Sequence, residues 1–192
     1  FDTNWVVPLG PNVNGFEDDL KAFVSKNSDG SELSREVVAL SAGTAAVHLG
    51  LLASGVGPGD EVCVQSFTFC ASSHPITYLG ATPVFIDSEP DSWNMDPELL
   101  EKAIIDRKEK TGKYPKAIVP VALYGMPYDC DKIMAISEKY GIPVVEDAAE
   151  GCGSRWKGQV LGTFGKFGVL SFNGNKMITT SGGGALICQD AE

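Results

Sequence analysis

The chain has 192 residues, of which 43% are hydrophobic, enough for one ordinary domain with a substantial core and too apolar for a disordered segment. A formal charge of -10, with Lys and Arg together only 15, leaves no basic footprint for nucleic acid or an anionic membrane, so any phosphate must be held locally. No apolar run approaches a membrane span and no charged-then-apolar leader is visible, so a cytoplasmic protein is expected, and the opening at Phe1 and the stop after the apolar residues 185–188 read as a piece of something longer.

Residues 1–11 carry Pro8, Gly10 and Pro11 and read as a loop that offers Trp5 for contact. From Asn14 the apolar positions Phe16, Leu20, Phe23 and Val24 recur at helical spacing, predicting an amphipathic helix that ends within residues 27–30. Residues 1–30 thus form an N-terminal loop and helix, and residues 31–192 the main domain. The β-branched run 37–40 leads through Ser41-Ala42-Gly43-Thr44 into the helix formers of 45–53, a strand, a glycine turn and a helix. Free N–H groups and the positive dipole end at that helix start suit a phosphate, with Gly43 allowing close approach and Thr44 adding a hydroxyl. A plain connection capped by Thr44 explains the same residues.

A turn at residues 57–60 precedes a strand at 61–64, the aromatic-rich 66–69 and a helical stretch broken at Pro75. Residues 82–86 read as a strand. Asp96 caps a helix with Pro97 at its first position and Leu99, Leu100, Ala103 and Ile104 on its buried side. Residues 116–123 are strand-like, 130–140 helical with Gly141 as the stop, and 142–145 a strand whose end carries three acids, Glu146, Asp147 and Glu150. Alternating strands and helices with short connections argue for an α/β fold with a mostly parallel sheet and helices on both faces.

The five cysteines, Cys63, Cys70, Cys130, Cys152 and Cys188, contain no CxxC pair, and His48 and His74 stand on predicted helices without a ligand-spaced partner. Reduced thiols and no metal are expected.

The buried strand 167–172 runs into the turn Asn173 to Asn175, which brings Lys176 out at a strand end. An amine held among low-dielectric walls is shifted toward its neutral form and can attack a carbonyl to make a Schiff base. Alone, Lys176 also fits a surface lysine in a Gly/Asn turn, and Asp147 alone fits a helix cap or an ion pair. Taken together, a phosphate cradle at Gly43-Thr44, a carboxylate at Asp147 and an amine at Lys176 describe a pyridoxal phosphate site, because the cofactor ring needs an anionic partner to keep its nitrogen protonated.

The order SAGTAAVHLGLL, GPGDEV, SFTFCASSHPITYLGATPVFID, VVEDAAE and SFNGNK resembles the DegT/DnrJ/EryC1/StrS family of sugar aminotransferases over nearly the whole chain. The resemblance implies the large domain of a fold-type I pyridoxal phosphate enzyme, with about seven mostly parallel strands, an antiparallel strand after the lysine at 184–189, and a C-terminal small domain absent from this chain. It implies that Thr44 and the backbone of Ala45 hold the cofactor phosphate, that Ser171 reaches it, and that Phe69 stacks on the ring. Asp147 then meets the pyridine nitrogen, Glu150 lies near the cofactor 3-hydroxyl, and Lys176 makes the Schiff base. Ser181-Gly182-Gly183-Gly184 replaces the Gly-Glu-Gly-Gly of many members and, with the FNGNK turn and the opening residues, resembles the branch that makes UDP-4-amino-sugars on the N-acetylbacillosamine route.

That branch implies glutamate as donor, a nucleotide-linked ketosugar as acceptor, and a homodimer whose subunits share their active sites; Trp5 and Asn12 to Asn14 are expected on the sugar side. A sugar 3-dehydratase of the same fold carries histidine in place of the lysine, unlike this chain. A non-catalytic nucleotide-binding module or pseudoenzyme, and an aminotransferase for another nucleotide ketosugar, remain the alternatives.

Overall fold

The computed structural model describes residues 9–190. Helix α1 (Pro11–Ser25) starts earlier than its apolar spacing predicts, because Pro11 has the fixed φ of a first helical position. It buries Leu20 and Val24, while Phe23 is exposed. After it come β1 (Glu36–Leu40), α2 (Gly43–Ala53), β2 (Glu61–Gln65), the short α3 (His74–Tyr78), β3 (Thr82–Ile86), α4 (Pro97–Thr111), β4 (Ala117–Val119), α5 (Cys130–Tyr140) and β5 (Val145–Asp147). A small hairpin, β6 (Arg155–Trp156) with β7 (Gln159–Val160), precedes β8 (Phe167–Ser171) and β9 (Gly184–Cys188). Pro75 sits in the first turn of α3, so it begins that helix and does not break one.

The strands form two blocks, β1-β9-β8-β5 and β3-β2-β4. Parallel bridges Ile118–Val144 and Val121–Asp147 join them, with Ile118 N–H donating to Pro143 O at 3.0 Å and Asp147 N–H to Pro120 O at 2.9 Å. Among the described residues seven strands therefore run side by side, and β9 is antiparallel to both its neighbours while every other pairing in this sheet is parallel. This is the sheet that the family resemblance implies, with the antiparallel strand where it was expected.

Each strand sends alternate residues to opposite faces. Val62, Val64, Val119, Val145 and Val169 pack with Ala46, Val47 and Leu51 of α2 and Ile76 of α3. On the other face Cys63, Ile118, Leu170 and Ile187 pack with Leu20 and Val24 of α1, Leu100 and Ile104 of α4, and Ile133 and Ile136 of α5. The expected buried side of α4 holds for Leu100 and Ile104, whereas Leu99 remains 36% exposed. Asp96 caps α4 through bonds from the N–H groups of Glu98 and Leu99, as its sequence predicts.

Two glycines let α2 lie on the sheet. A Cβ at Gly184 would stand 2.4 Å from the Ala42 carbonyl carbon and from Gly43 N, and one at Gly43 would stand 2.9 Å from Ser171 Cβ. Both distances are below any real contact, so only hydrogen at these positions allows the start of α2 to meet the ends of β8 and β9. Among the described residues no helix is long and apolar enough to cross a membrane.

Candidate active site

A cavity of about 550 Å³ opens at the carboxyl ends of the parallel strands, where sheets of this kind present their ligand-binding residues. Gly43, Thr44, Phe69, Asp147, Glu150, Ser171 and Lys176 all line it, although they come from four separate stretches of the chain. Ala45 is not among the lining residues; it lies one position further into α2, where only its backbone N–H faces the helix start.

The first intrahelical bond of α2 runs from Ala46 N–H to Ala42 O at 3.2 Å, so the N–H groups of Gly43, Thr44 and Ala45 precede the ladder. No side chain caps this helix, which removes the alternative that Thr44 is there as a cap. The missing Cβ of Gly43 also makes room for strand β8 and brings the Ser171 hydroxyl beside the helix start.

Asp147 ends β5 and is 5% exposed. Ser72 donates to its Oδ2 at 2.5 Å and Ala149 N–H to its Oδ1 at 3.2 Å. Burial pushes the Asp147 carboxyl above its ordinary range, opposed by the Ser72 and Ala149 hydrogen bonds and by the charge of Lys176. The hydroxyls of Thr68 and Ser72 lie 2.8 Å apart, and since the Ser72 proton is given to Asp147, Thr68 is the donor between them.

Lys176 follows the turn closed by its own N–H on Asn173 O at 3.0 Å, and its side chain is 13% exposed. Its Nζ lies 3.4 Å from Glu150 Oε1, while Glu150 Oε2 accepts the Tyr124 N–H at 2.7 Å. Phe69 is 72% exposed in the segment before a short 3-10 turn at Cys70–Ser72, with its ring open to the cavity.

Glu146 does not join the other two acids. As the neighbour of Asp147 in a strand it points to the opposite face, is fully buried, and accepts the N–H groups of Gly162 at 2.9 Å, Phe164 at 2.6 Å and Gly165 at 2.8 Å. Its part is to hold the turn before β8. Asn12 to Asn14 lie in the first turns of α1, not in a loop, and none of them lines the cavity; Trp5 lies outside the described residues.

The DegT/DnrJ/EryC1/StrS aminotransferase family model matches residues 1–192. The chain belongs to that family. It is 50% identical over 190 residues to the Bacillus subtilis (strain 168) protein named "Putative pyridoxal phosphate-dependent aminotransferase EpsN", covering 99% of this chain and 47% of that one. It is 40% identical over 189 residues to the GDP-perosamine synthase of Caulobacter vibrioides, covering 98% of this chain and 47% of the synthase. The crystal structure of a DegT DnrJ EryC1 StrS aminotransferase from Brucella abortus superposes with a TM-score of 0.89 at 37% identity, over 99% of this chain and 48% of the other. The chain thus spans about half the length of these family members.

Ser72, Thr68 and Tyr124 line the cavity without having been singled out in the sequence. Thr68 and Ser72 stand on either side of Phe69, which the family resemblance places at the cofactor ring, and their own spacing carries no mark. Nothing local marks Tyr124, which is brought in by the Glu150 carboxylate.

Proposed function

We propose that the whole protein is a pyridoxal phosphate-dependent aminotransferase that moves an amino group from glutamate to C4 of a UDP-4-keto-6-deoxy-N-acetylhexosamine, as a cytoplasmic homodimer. One observation carries this reading: the Lys176 amine, the Asp147 carboxylate and the start of α2 face a single cavity.

Those residues fit the cofactor. Free N–H groups at Gly43, Thr44 and Ala45, with the hydroxyls of Thr44 and Ser171, would hold its phosphate at the positive end of α2. Asp147 would hold a proton on the pyridine nitrogen, and Ser72 and Ala149 favour the charged carboxylate that this needs. Phe69 would cover one ring face. Bound there, pyridoxal phosphate supplies an aldehyde that condenses with amines and a ring that withdraws electrons from the carbon they carry. Lys176 Nζ takes and returns the proton at that carbon, and Glu150 keeps the ammonium paired when no carbonyl is engaged.

The sugar acceptor is supported by the family and by where the arginines lie. An enzyme dedicated to amino acids grips a second carboxylate with an arginine fork. Here Arg107 pairs with Glu61 at 2.8 Å, Arg155 donates to Lys26 O and Gly158 O, and Arg35 donates to Thr163 O. None lines the cavity.

The test uses the whole protein with added pyridoxal phosphate. A yellow absorbance that borohydride bleaches, with the label on the Lys176 peptide, is expected, and glutamate should then aminate UDP-4-keto-6-deoxy-N-acetylglucosamine. A colourless protein overturns the enzyme reading. Amination of 2-oxo acids alone overturns the sugar, and amination of a GDP- or dTDP-ketosugar alone overturns the UDP branch.

A further inference from the structure

Among the described residues, Trp93, Tyr124, Lys157 and Ser181 are the non-glycines with positive φ. Trp93, at φ 64, and Tyr124, at φ 52, are 58% and 79% exposed. Exposed aromatic residues gain nothing from packing that would offset a left-handed backbone, so such strain persists only where surrounding structure imposes it, and it concentrates at functional sites.

What imposes it is a buried pair of amides, Gln65 and Asn94, both fully buried. Gln65 Nε2 donates to Asn94 Oδ1 at 3.3 Å and to Phe67 O at 2.9 Å, and its Oε1 accepts the N–H groups of Met95 at 2.8 Å and Val121 at 3.3 Å. Asn94 Oδ1 also accepts Leu123 N–H at 3.1 Å, and its Nδ2 donates to Met126 O at 2.9 Å. The pair therefore ties together the loops that carry Phe67, Trp93 and Tyr124. Two carboxylates complete the hold: Glu89 gathers the N–H groups of Asp91 and Ser92 ahead of Trp93, and Glu150 takes the N–H of Tyr124. The Phe67 and Trp93 rings contact each other at 5.9 Å between centroids, and Phe67 and Tyr124 line the cavity.

We propose that Phe67, Trp93 and Tyr124 form the subsite for the nucleobase of the nucleotide-linked acceptor, held open for stacking by the Gln65–Asn94 pair. This rests on the function proposed above. Flat apolar ring faces in contact with solvent suit a planar heterocycle, which stacks on aromatic side chains with little regard to its identity. Glutamate has no such face, so the subsite acts in one half-reaction only. It also lets a chain of net charge -10 hold a nucleotide without a basic patch.

The test makes Trp93→Asn and Tyr124→Asn in the whole cofactor-loaded protein, because Asn tolerates the left-handed conformation and leaves the loops intact. UDP, GDP and dTDP are titrated by calorimetry, and the two half-reactions are followed separately by the cofactor spectrum. For the nucleotide that the parent binds, each variant should weaken binding, and raise the acceptor KM, about tenfold, the scale of one base stack. The glutamate half-reaction should change by less than about threefold and the melting midpoint should not fall, since the substitution relieves strain. Unchanged nucleotide binding overturns the subsite, as does an equal loss in both half-reactions. Dissociated subunits with unchanged nucleotide affinity also overturn it and make the rim a subunit contact. A parent that takes up cofactor and aminates the acceptor while the variants match it overturns the subsite alone; a parent that does neither overturns the function beneath it, and the subsite with it.

Discussion

Ser72 donates a 2.5 Å hydrogen bond to Asp147 from a turn that lies 75 residues earlier in the chain. The bond keeps a buried carboxyl available in its charged form, and Thr68 behind it leaves the Ser72 proton nowhere else to go. Ser72→Ala should therefore leave the fold intact and lower turnover about tenfold or more, the loss deepening as pH falls, because burial then acts with less opposition to protonate Asp147. A pH–rate profile for parent and variant checks this; parallel profiles would assign Ser72 a purely structural part.

Asp147→Asn should do opposite things to stability and to catalysis. The folded-state pKa of Asp147 is raised, so its contribution to stability is greatest below the ordinary carboxylate range, about pH 4, and is lost as pH rises through the folded value. At neutral pH the buried charge weakens the cofactor-free protein, and the amide should raise its melting midpoint by about 2–4 °C, a gain that disappears as pH approaches 4. Turnover should drop about a hundredfold or more, because the amide cannot hold the ring nitrogen protonated. Melting curves across pH, set beside steady-state rates, separate the two effects.

Lys176→Ala should lower turnover by about 10²–10⁴-fold, the range for losing a positioned proton carrier, and leave the phosphate contacts to retain cofactor noncovalently. Borohydride treatment followed by peptide mapping should find no label at this peptide. Wild-type turnover in the variant would remove Lys176 from the reaction.

Glu146→Gln tests the buried turn without touching the cavity. Three backbone N–H groups share the carboxylate, and an amide offers a single acceptor oxygen, so donors are left unbonded between β5 and β8. A loss of about 1–3 kcal/mol in urea unfolding is expected, which exceeds the relief of burying one charge fewer. Equal or greater stability in the variant would show that the turn rearranges freely.

Gly184→Ala should destabilise by about 1–3 kcal/mol and weaken cofactor binding together, because the new methyl meets Ala42 and Gly43 backbone at 2.4 Å and pushes α2 off the sheet. Gly57→Ala, with nothing within 4 Å of its Cβ, is the matched control and should be near neutral. Cofactor titration of the two variants provides the comparison.

The sequence made the strand ends legible because each carries a local mark: Gly43-Thr44 before a run of helix formers, acids after an apolar strand, and a lysine after a turn. The element order followed from the same marks, while the antiparallel direction of the last strand came from the family resemblance. Glu146 was misread because adjacent acids in a strand look equivalent in sequence, while the two-residue period sends them to opposite faces. The packing part of Gly43 was hidden for a related reason: a glycine beside a possible ligand site says that space is needed but not by what, and here Ser171 also takes some of it. Gln65 and Asn94 were invisible, since a buried amide pair joining three loops has no spacing of its own. Neither residue looks different from a surface amide until the sheet brings the loops together.

The place of β9 in the sheet also governs the order in which the molecule can be made. Among the described residues, strand β1 is hydrogen-bonded to the sheet through β9 alone, with Glu36 opposite Cys188 and Leu40 opposite Gly184. A ribosome delivers residues 36–40 well before residues 184–188, so until β9 is made this segment waits as an edge without that partner. Loop closure on that scale is slow, and the waiting strand is where a nascent chain of this fold is most open to wrong pairing or to a chaperone.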